Sequence, residues 1–410
     1  MVTIDPASEV IESKTQLYWP QLDGLRALAF FLVFLEHQSP IPLTPQVAAI
    51  PGVQVLGFLC SSLFRWGWIG VDMFFVLSAY LITTLLLSER QAFGQVAFKQ
   101  FMIRRILRIW PLYFIIVLLG FFILPAMHYY QFPIQTDAWR TMTQFYLPAY
   151  LIFGGNFLLG NPQAPAISFL LGILWSVSME EQFYLCWGAL MSKIKRMALL
   201  FLIPILGLPL TLLVRLSIFN QTHQQKAYYF NTFAHLDPIL IGILIALLLH
   251  IGKIPSASLK KLGPILFTLP IIFLLILALF FPPLETSHIS TVFVFTGVAF
   301  AAGMFLLAVQ HWTPAQRLFS LSPLVWLGRL SFGLYVFHPL GKDLGNIATY
   351  ALYGSASRST FAQQVTWAWF CYFSTSLLFT MLLAWLSWHL LEKRFHRLRK
   401  RFMRIPSGGT

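Results

Sequence analysis

Long apolar stretches, broken by short polar ones, recur along the whole 410-residue chain. About 20 apolar residues cross a bilayer. Ten stretches approach that length: 22–38, 67–87, 109–126, 167–191, 197–217, 236–250, 263–281, 290–310, 323–341 and 364–391. One run, Leu262 to Leu284, holds no acid, Lys or Arg. Unpaired backbone polar groups are costly in hydrocarbon, so such spans are helices rather than open strands. The pattern predicts an all-α, polytopic membrane helix bundle of about ten transmembrane helices. It divides into an N-terminal tail (1–20), one membrane domain (21–391) and a basic C-terminal tail (392–410), with no repeat or low-complexity linker.

Composition agrees. Charged residues make up 10% of the chain and hydrophobic ones 58%, whereas soluble domains carry about 25% charged residues. The net charge of +14 would point to nucleic acid in a soluble protein. Here the basic residues lie between apolar spans, so they read as topology and lipid contact, with an anionic ligand on that side as a further use. Lys and Arg crowd alternate loops, including 90–108, 193–196, 253–261 and 393–404, which predicts cytoplasmic N- and C-termini. Cys60, Cys186 and Cys371 are far apart and form no CxxC, so neither a disulfide framework nor a zinc site is expected. The first twenty residues carry Asp5, Glu9 and Glu12 and lack the build of a cleavable signal peptide.

Ionisable residues inside membrane spans are costly, so each is a candidate for chemistry. In LDGLRALAFFLVFLEHQ, Arg26 and His37 share one helix face, about 16 Å apart along the axis. Asp23 is placed to pair with Arg26. The same residues also suit an arginine reaching the inner surface and a histidine capping the outer end. Asp72 lies in the otherwise apolar GWIGVDMFFVLSAYLI, where Gly67 and Gly70 permit close helix approach. A lone Asp of this kind is more often a structural partner than a catalyst. Arg104, Arg105 and Arg108 precede Pro111 and the third span. They serve either as positive-inside charge or as a clamp for a polyanion, since arginine pairs bidentately with phosphate.

In LWSVSMEEQFYL, Ser178 and Glu181 fit a capping box, so a helix is expected to start there. Glu180 and Tyr184 then share a face. His235 and Asp237 stand at the outer start of the sixth span, with Pro238 suited to a helix start. Ser331, Tyr335 and His338 form one stripe on the ninth, directed to bundle packing or to a site. No P-loop, GxSxG or HExxH pattern occurs, so nucleotide hydrolysis, a serine-hydrolase elbow and a zincin are not supported.

These segments, in this order, resemble the acyltransferase-3 family of integral-membrane acyltransferases, which includes surface-polysaccharide and antibiotic O-acyltransferases. The resemblance runs from about Leu22 to the end of the last span. It is carried by Arg26-x10-His37, GWIGVDMFFVLSAYLI, Arg105-x-x-Arg108, Ser178-x-Glu180-x-x-x-Tyr184, FAHLDPILIG and GRLSFGLYVFHP. It implies acyl-coenzyme A, by default acetyl-coenzyme A, bound from the cytoplasmic side with its phosphates near Arg105 and Arg108. It implies His37 as the essential histidine with Arg26 its partner, and Glu180 with Tyr184 as a second motif. A hydroxyl-bearing acceptor, carbohydrate by expectation, would enter from outside. Three residues depart from the usual pattern: Ala79 for Gly, His235 for Arg, and Glu36 for an apolar residue.

The expected reaction is acid–base catalysed acyl transfer. His37 would deprotonate the acceptor as it attacks the thioester carbonyl, and Glu180 could orient His37. An acyl-histidine intermediate is the alternative route. The rival class is a proton-coupled secondary transporter or flippase, for which buried Asp, Glu and His also fit. A carrier has no evident need for an inner phosphate clamp. The chain ends at Thr410, soon after the last span, so transfer to a direct acceptor is expected.

Overall fold

The computed structural model describes residues 18–38, 52–127, 136–161, 163–165, 167–280, 289–353 and 358–405. Among them there are helices and no strand. The chain opens with α1 (Pro20–Glu36), α2 (Val53–Arg65), α3 (Ile69–Phe93) and α4 (Phe98–Leu118), the last continuing through a π-helical turn, Leu119–Ile123, to Ala126. The middle holds α5 (Asp137–Leu151), α6 (Gly155–Leu159), α7 (Phe169–Gly172), α8 (Trp175–Lys193), α9 (Met197–Thr222), α10 (Gln225–Tyr229) and α11 (Asp237–His250). It closes with α12 (Ser256–Phe280), α13 (Ile289–His311), α14 (Thr313–Phe319), α15 (Ser322–Arg329), α16 (Ser331–Tyr353) and α17 (Arg358–Ser387). A second π turn, Trp388–Glu392, then leads into α18 (Lys393–Lys400).

Among the described residues, six helices are long and apolar enough to cross a membrane: α3, α4 to Ala126, α9, α12, Val292–His311 of α13, and Trp367–Lys400. Large apolar side chains stand exposed on α9 and α12, including Leu206, Leu210, Leu213, Ile265 and Ile272. In a membrane these faces meet lipid tails, at no cost.

Every apolar stretch of the sequence contains helix, but four boundaries differ from expectation. The arginines expected just ahead of the third span lie inside α4, which starts at Phe98. Pro111 sits within this helix and cannot donate to the Leu107 carbonyl. Leu107 is at the wall of a cavity, where backbone is tolerated without a helical partner. The stretch 323–341 is two helices, α15 and α16, broken at Leu330. The stretch 167–191 is likewise divided into α7 and α8. The capping box does not form. Ser178 lies one turn inside α8, and its hydroxyl donates to the Leu174 carbonyl at 3.1 Å. Burial of that hydroxyl in an apolar bundle favours the nearest carbonyl over a distant N-terminus.

Two glycines set how close α1 approaches its neighbours. A Cβ on Gly70 would collide with the Ala29 carbonyl, and one on Gly328 with the Asp23 carbonyl. The absence of side chains there lets α3 and α15 touch α1 backbone to backbone. These contacts hold Asp23 and Arg26 against Arg329. Ala79, where the resemblance leads one to expect Gly, is buried and packs at Gly242 of α11.

Candidate active site

A cavity of about 300 Å3 lies between α1, α3, α4, α8, α16 and the C-terminal segment. Its wall includes five arginines, Arg26, Arg105, Arg108, Arg329 and Arg399, against three acids, Asp23, Glu180 and Glu392. Arg26 is neutralised by Asp23 at 2.5 Å, as the one-turn spacing predicts. Arg329 donates to the Tyr18 hydroxyl at 2.9 Å, which donates in turn to Asp23 at 3.1 Å.

Arg105 and Arg108 behave differently. Neither has an ion-pair partner among the described residues. Arg105 is buried, stands over the rings of Phe101 and Tyr184, and has an Nε with no hydrogen-bond partner. The Arg108 side chain is accessible within the cavity. Arg104, grouped with them on sequence, turns away. It pairs with Glu89 at 3.1 Å and donates to the Phe402 carbonyl at 2.9 Å, tying α3 and α4 to the end of the chain.

Glu180 and Tyr184 line the same cavity. The Tyr184 hydroxyl donates to Glu180 Oε2 at 2.9 Å. Having only one proton, it accepts from Ser78 Oγ at 2.6 Å. Glu180 therefore faces the arginines and is bonded to Tyr184, not to His37. Its neighbour Glu181 accepts from the Trp110 indole at 2.9 Å instead.

His37 caps α1 and is absent from the cavity wall. Its Nδ1 is 2.9 Å from the Val33 carbonyl and 3.2 Å from Nε2 of His338. Nδ1 of His338 is 2.5 Å from the Tyr335 carbonyl. Carbonyl oxygens only accept, so both Nδ1 atoms carry protons. His338 Nε2 then shares the His37 Nδ1 proton, and His37 Nε2 keeps its lone pair. Phe169 packs on both imidazoles, at ring distances of 4.8 and 5.7 Å. Tyr335 touches both the histidine pair and the cavity. It lines the cavity, and its ring is 5.7 Å from that of His338. Its hydroxyl lies 3.0 Å from the Ile173 carbonyl and 2.7 Å from Ser176 Oγ, which reaches the same carbonyl at 3.3 Å. Ser331 also lines the cavity, whereas Ser178 does not.

Asp72, His235 and Asp237 lie elsewhere, in a buried ionic cluster. His235 Nε2 meets Asp72 Oδ1 at 2.9 Å, its Nδ1 meets the Tyr229 carbonyl at 2.8 Å, and Trp175 stacks on the ring. Asp237 pairs with Arg215 and accepts from Thr296 at 2.6 Å. Arg215 is fully buried and also donates to the carbonyls of Ala234 and Val292. This cluster joins α3, α9, α11 and α13; none of its four charged members lines the cavity, and His235 meets the cavity-lining Phe75 edge-on at 6.1 Å. Arg215 escaped the sequence reading although it is the single charge in Met197–Thr222, a signal that was visible. Arg329, Glu392 and Arg399 were also missed. Their place at the cavity depends on the α15–α16 break and on how the last helix folds back.

With this geometry in view, comparison with known proteins is direct. Residues 19–389 match the acyltransferase-3 model, described as an acyltransferase domain. The chain belongs to this family of membrane acyltransferases. It is similar to a peptidoglycan O-acetyltransferase, OatA, of Listeria monocytogenes, at 28% identity over 78% of this chain and 49% of the relative. A putative peptidoglycan O-acetyltransferase of Bacillus subtilis, YrhL, is 27% identical over 92% of this chain and 54% of its own length. A putative O-acetyltransferase of Staphylococcus aureus is 26% identical over 79% of this chain and 51% of its own. The chain thus spans about half the length of the curated relatives it matches. No solved structure matches it.

Proposed function

We propose that this chain is a membrane O-acyltransferase that moves an acyl group, acetyl in the first instance, from coenzyme A to a hydroxyl of a carbohydrate. The observation that carries the reading is the contrast within one cavity. Arg26 and Arg329 are satisfied by Asp23 and Tyr18, while Arg105 and Arg108 have no ion-pair partner among the described residues. An unpaired guanidinium is costly where it is buried, as for Arg105, unless an anion arrives, and phosphate oxygens suit both groups. The donor set fits the diphosphate end of coenzyme A. Family membership favours group transfer over carriage, and the relatives' names favour a carbohydrate acceptor.

A coenzyme A thioester supplies an activated acyl carbonyl. The chain's own residues supply the rest. Arg105 and Arg108 hold the phosphate end. His37 Nε2, its lone pair free, takes the proton of the acceptor hydroxyl as the new C–O bond forms. The C–S bond breaks, and the His37 imidazolium gives its proton to the departing thiolate. His338 holds the His37 ring in the required tautomer. Between the two ends stands Tyr335, so the thin pantetheine arm must pass that side chain. With Arg26 in the cavity and His37 about 16 Å further along α1, a long flexible arm matches the separation.

The test is purified full-length chain in detergent with acetyl-coenzyme A and a peptidoglycan-type amino-sugar oligosaccharide. Release of free thiol together with acetylated sugar is the expected result, lost in His37→Ala. A folded His37→Ala variant with normal turnover sinks the assignment.

A further inference from the structure

The last helix of the chain adds a group to the cavity that neither its sequence nor its charge pattern marks out. A basic segment following the final apolar stretch reads as ordinary positive-inside charge. In the structure α18 instead folds against α4, and Arg399 reaches the wall shared with Arg105 and Arg108. Its six companions in this segment, Lys393, Arg394, Arg397, Lys400, Arg401 and Arg404, are absent from that wall.

Three features separate Arg399 from a solvated tail arginine. It has no carboxylate partner among the described residues, although Glu392 lines the same cavity. Its Nε is buried and makes no hydrogen bond, as is true of Arg105. Its described hydrogen-bond contacts are both with His396, one turn back, where Nη2 lies 3.2 Å from Nδ1 and 3.5 Å from Nε2.

The segment that presents it is fastened on both sides. Ahead of α18, the π turn Trp388–Glu392 changes the helix register, and Glu392 accepts from Ser387 at 2.8 Å. Beyond α18, Arg404 pairs with Glu89 at 3.2 Å and covers the Phe93 ring at 4.1 Å, while Arg104 holds the Phe402 carbonyl. Glu89 thus takes both Arg104 and Arg404. That leaves Arg399 as the arginine of the segment turned inward and uncompensated. Three like charges converge on one cavity whose wall also carries Glu180 and Glu392, and a multiply charged anion would relieve their mutual repulsion.

We propose that Arg399 is a third phosphate ligand for the acyl donor, presented by α18 to the anion held by Arg105 and Arg108. This rests on the coenzyme A reading above and extends it: the phosphate site has one wall from α4 and another from the C-terminal segment. Arg104, the third arginine by sequence, serves instead to anchor the segment that delivers Arg399.

The test measures binding of coenzyme A, dephospho-coenzyme A and pantetheine to the full chain in detergent, with and without added anionic phospholipid. Arg399→Gln and Arg399→Lys are compared with Arg397→Gln on the exposed face of the same helix. Arg399→Gln is expected to weaken coenzyme A at least tenfold, about 1.4 kcal/mol, with pantetheine unchanged. Arg399→Lys should fall between, because lysine keeps the charge and loses the bidentate fork, and Arg397→Gln should match wild type. Equal coenzyme A affinity in Arg399→Gln and wild type overturns the proposal while leaving the coenzyme A reading standing. So does a loss that extends equally to pantetheine, or one that appears only with anionic lipid present, which would make Arg399 a headgroup ligand. Wild-type protein that binds no coenzyme A overturns both.

Discussion

Nε2 of His338 lies 3.2 Å from Nδ1 of His37, across 301 residues of sequence. With the Val33 carbonyl, the link sets which nitrogen of His37 carries the proton, and so which one would serve as the base in the proposed reaction. Replacing His338 with Ala should lower kcat about tenfold, the worth of one hydrogen bond. The KM for acetyl-coenzyme A should stay near wild type. His37→Ala should cost about 100-fold or more, the usual contribution of a general base. Thiol-release kinetics on both variants separate the two roles; equal losses would refute an orienting role for His338.

Arg105 and Arg108 should act on donor affinity, and Arg104 on stability. Arg105→Ala and Arg108→Ala are each expected to weaken coenzyme A by about 10- to 100-fold, as for a charged hydrogen bond of about 1.5–3 kcal/mol. Arg104→Ala leaves buried Glu89 with Arg404 as its remaining ion-pair partner among the described residues, so a lower melting temperature should precede any change in binding. Calorimetry and thermal unfolding in detergent read the two effects apart.

The Arg215–Asp237 pair is fully buried. Arg215→Ala strands a carboxylate among apolar helices and should destabilise the fold by about 3–5 kcal/mol. Asp237→Asn should cost less, since the amide still accepts from Thr296. Fluorescence-detected size exclusion after mild heating would show it; a wild-type profile for Arg215→Ala would contradict a structural role for this cluster.

Tyr335 lines the arginine cavity and meets the His338 ring. If the pantetheine arm passes this side chain as proposed, Tyr335→Ala should widen its path, so the preference for acetyl over butyryl donor should shrink. Competition between acetyl- and butyryl-coenzyme A gives the ratio directly, and an unchanged ratio would mean that the arm takes another path.

Much of the molecule was legible in one dimension because a bilayer is an unforgiving solvent. It demands helices wherever apolar residues run long enough, and it makes each internal charge conspicuous. So the helices, Asp23 beside Arg26, the Arg105 and Arg108 face and the Glu180–Tyr184 turn could all be read from spacing, which a helix fixes locally. Spacing could not say which helices meet. Asp72, His235 and Asp237 look like site residues in sequence, yet folding pairs them with each other and with Arg215, away from the cavity. Arg104 turns out to be paired, with Glu89, while Arg399 has no carboxylate partner among the described residues. Whether a charge is satisfied depends on partners that can stand hundreds of residues away, and only the packed bundle decides who those partners are.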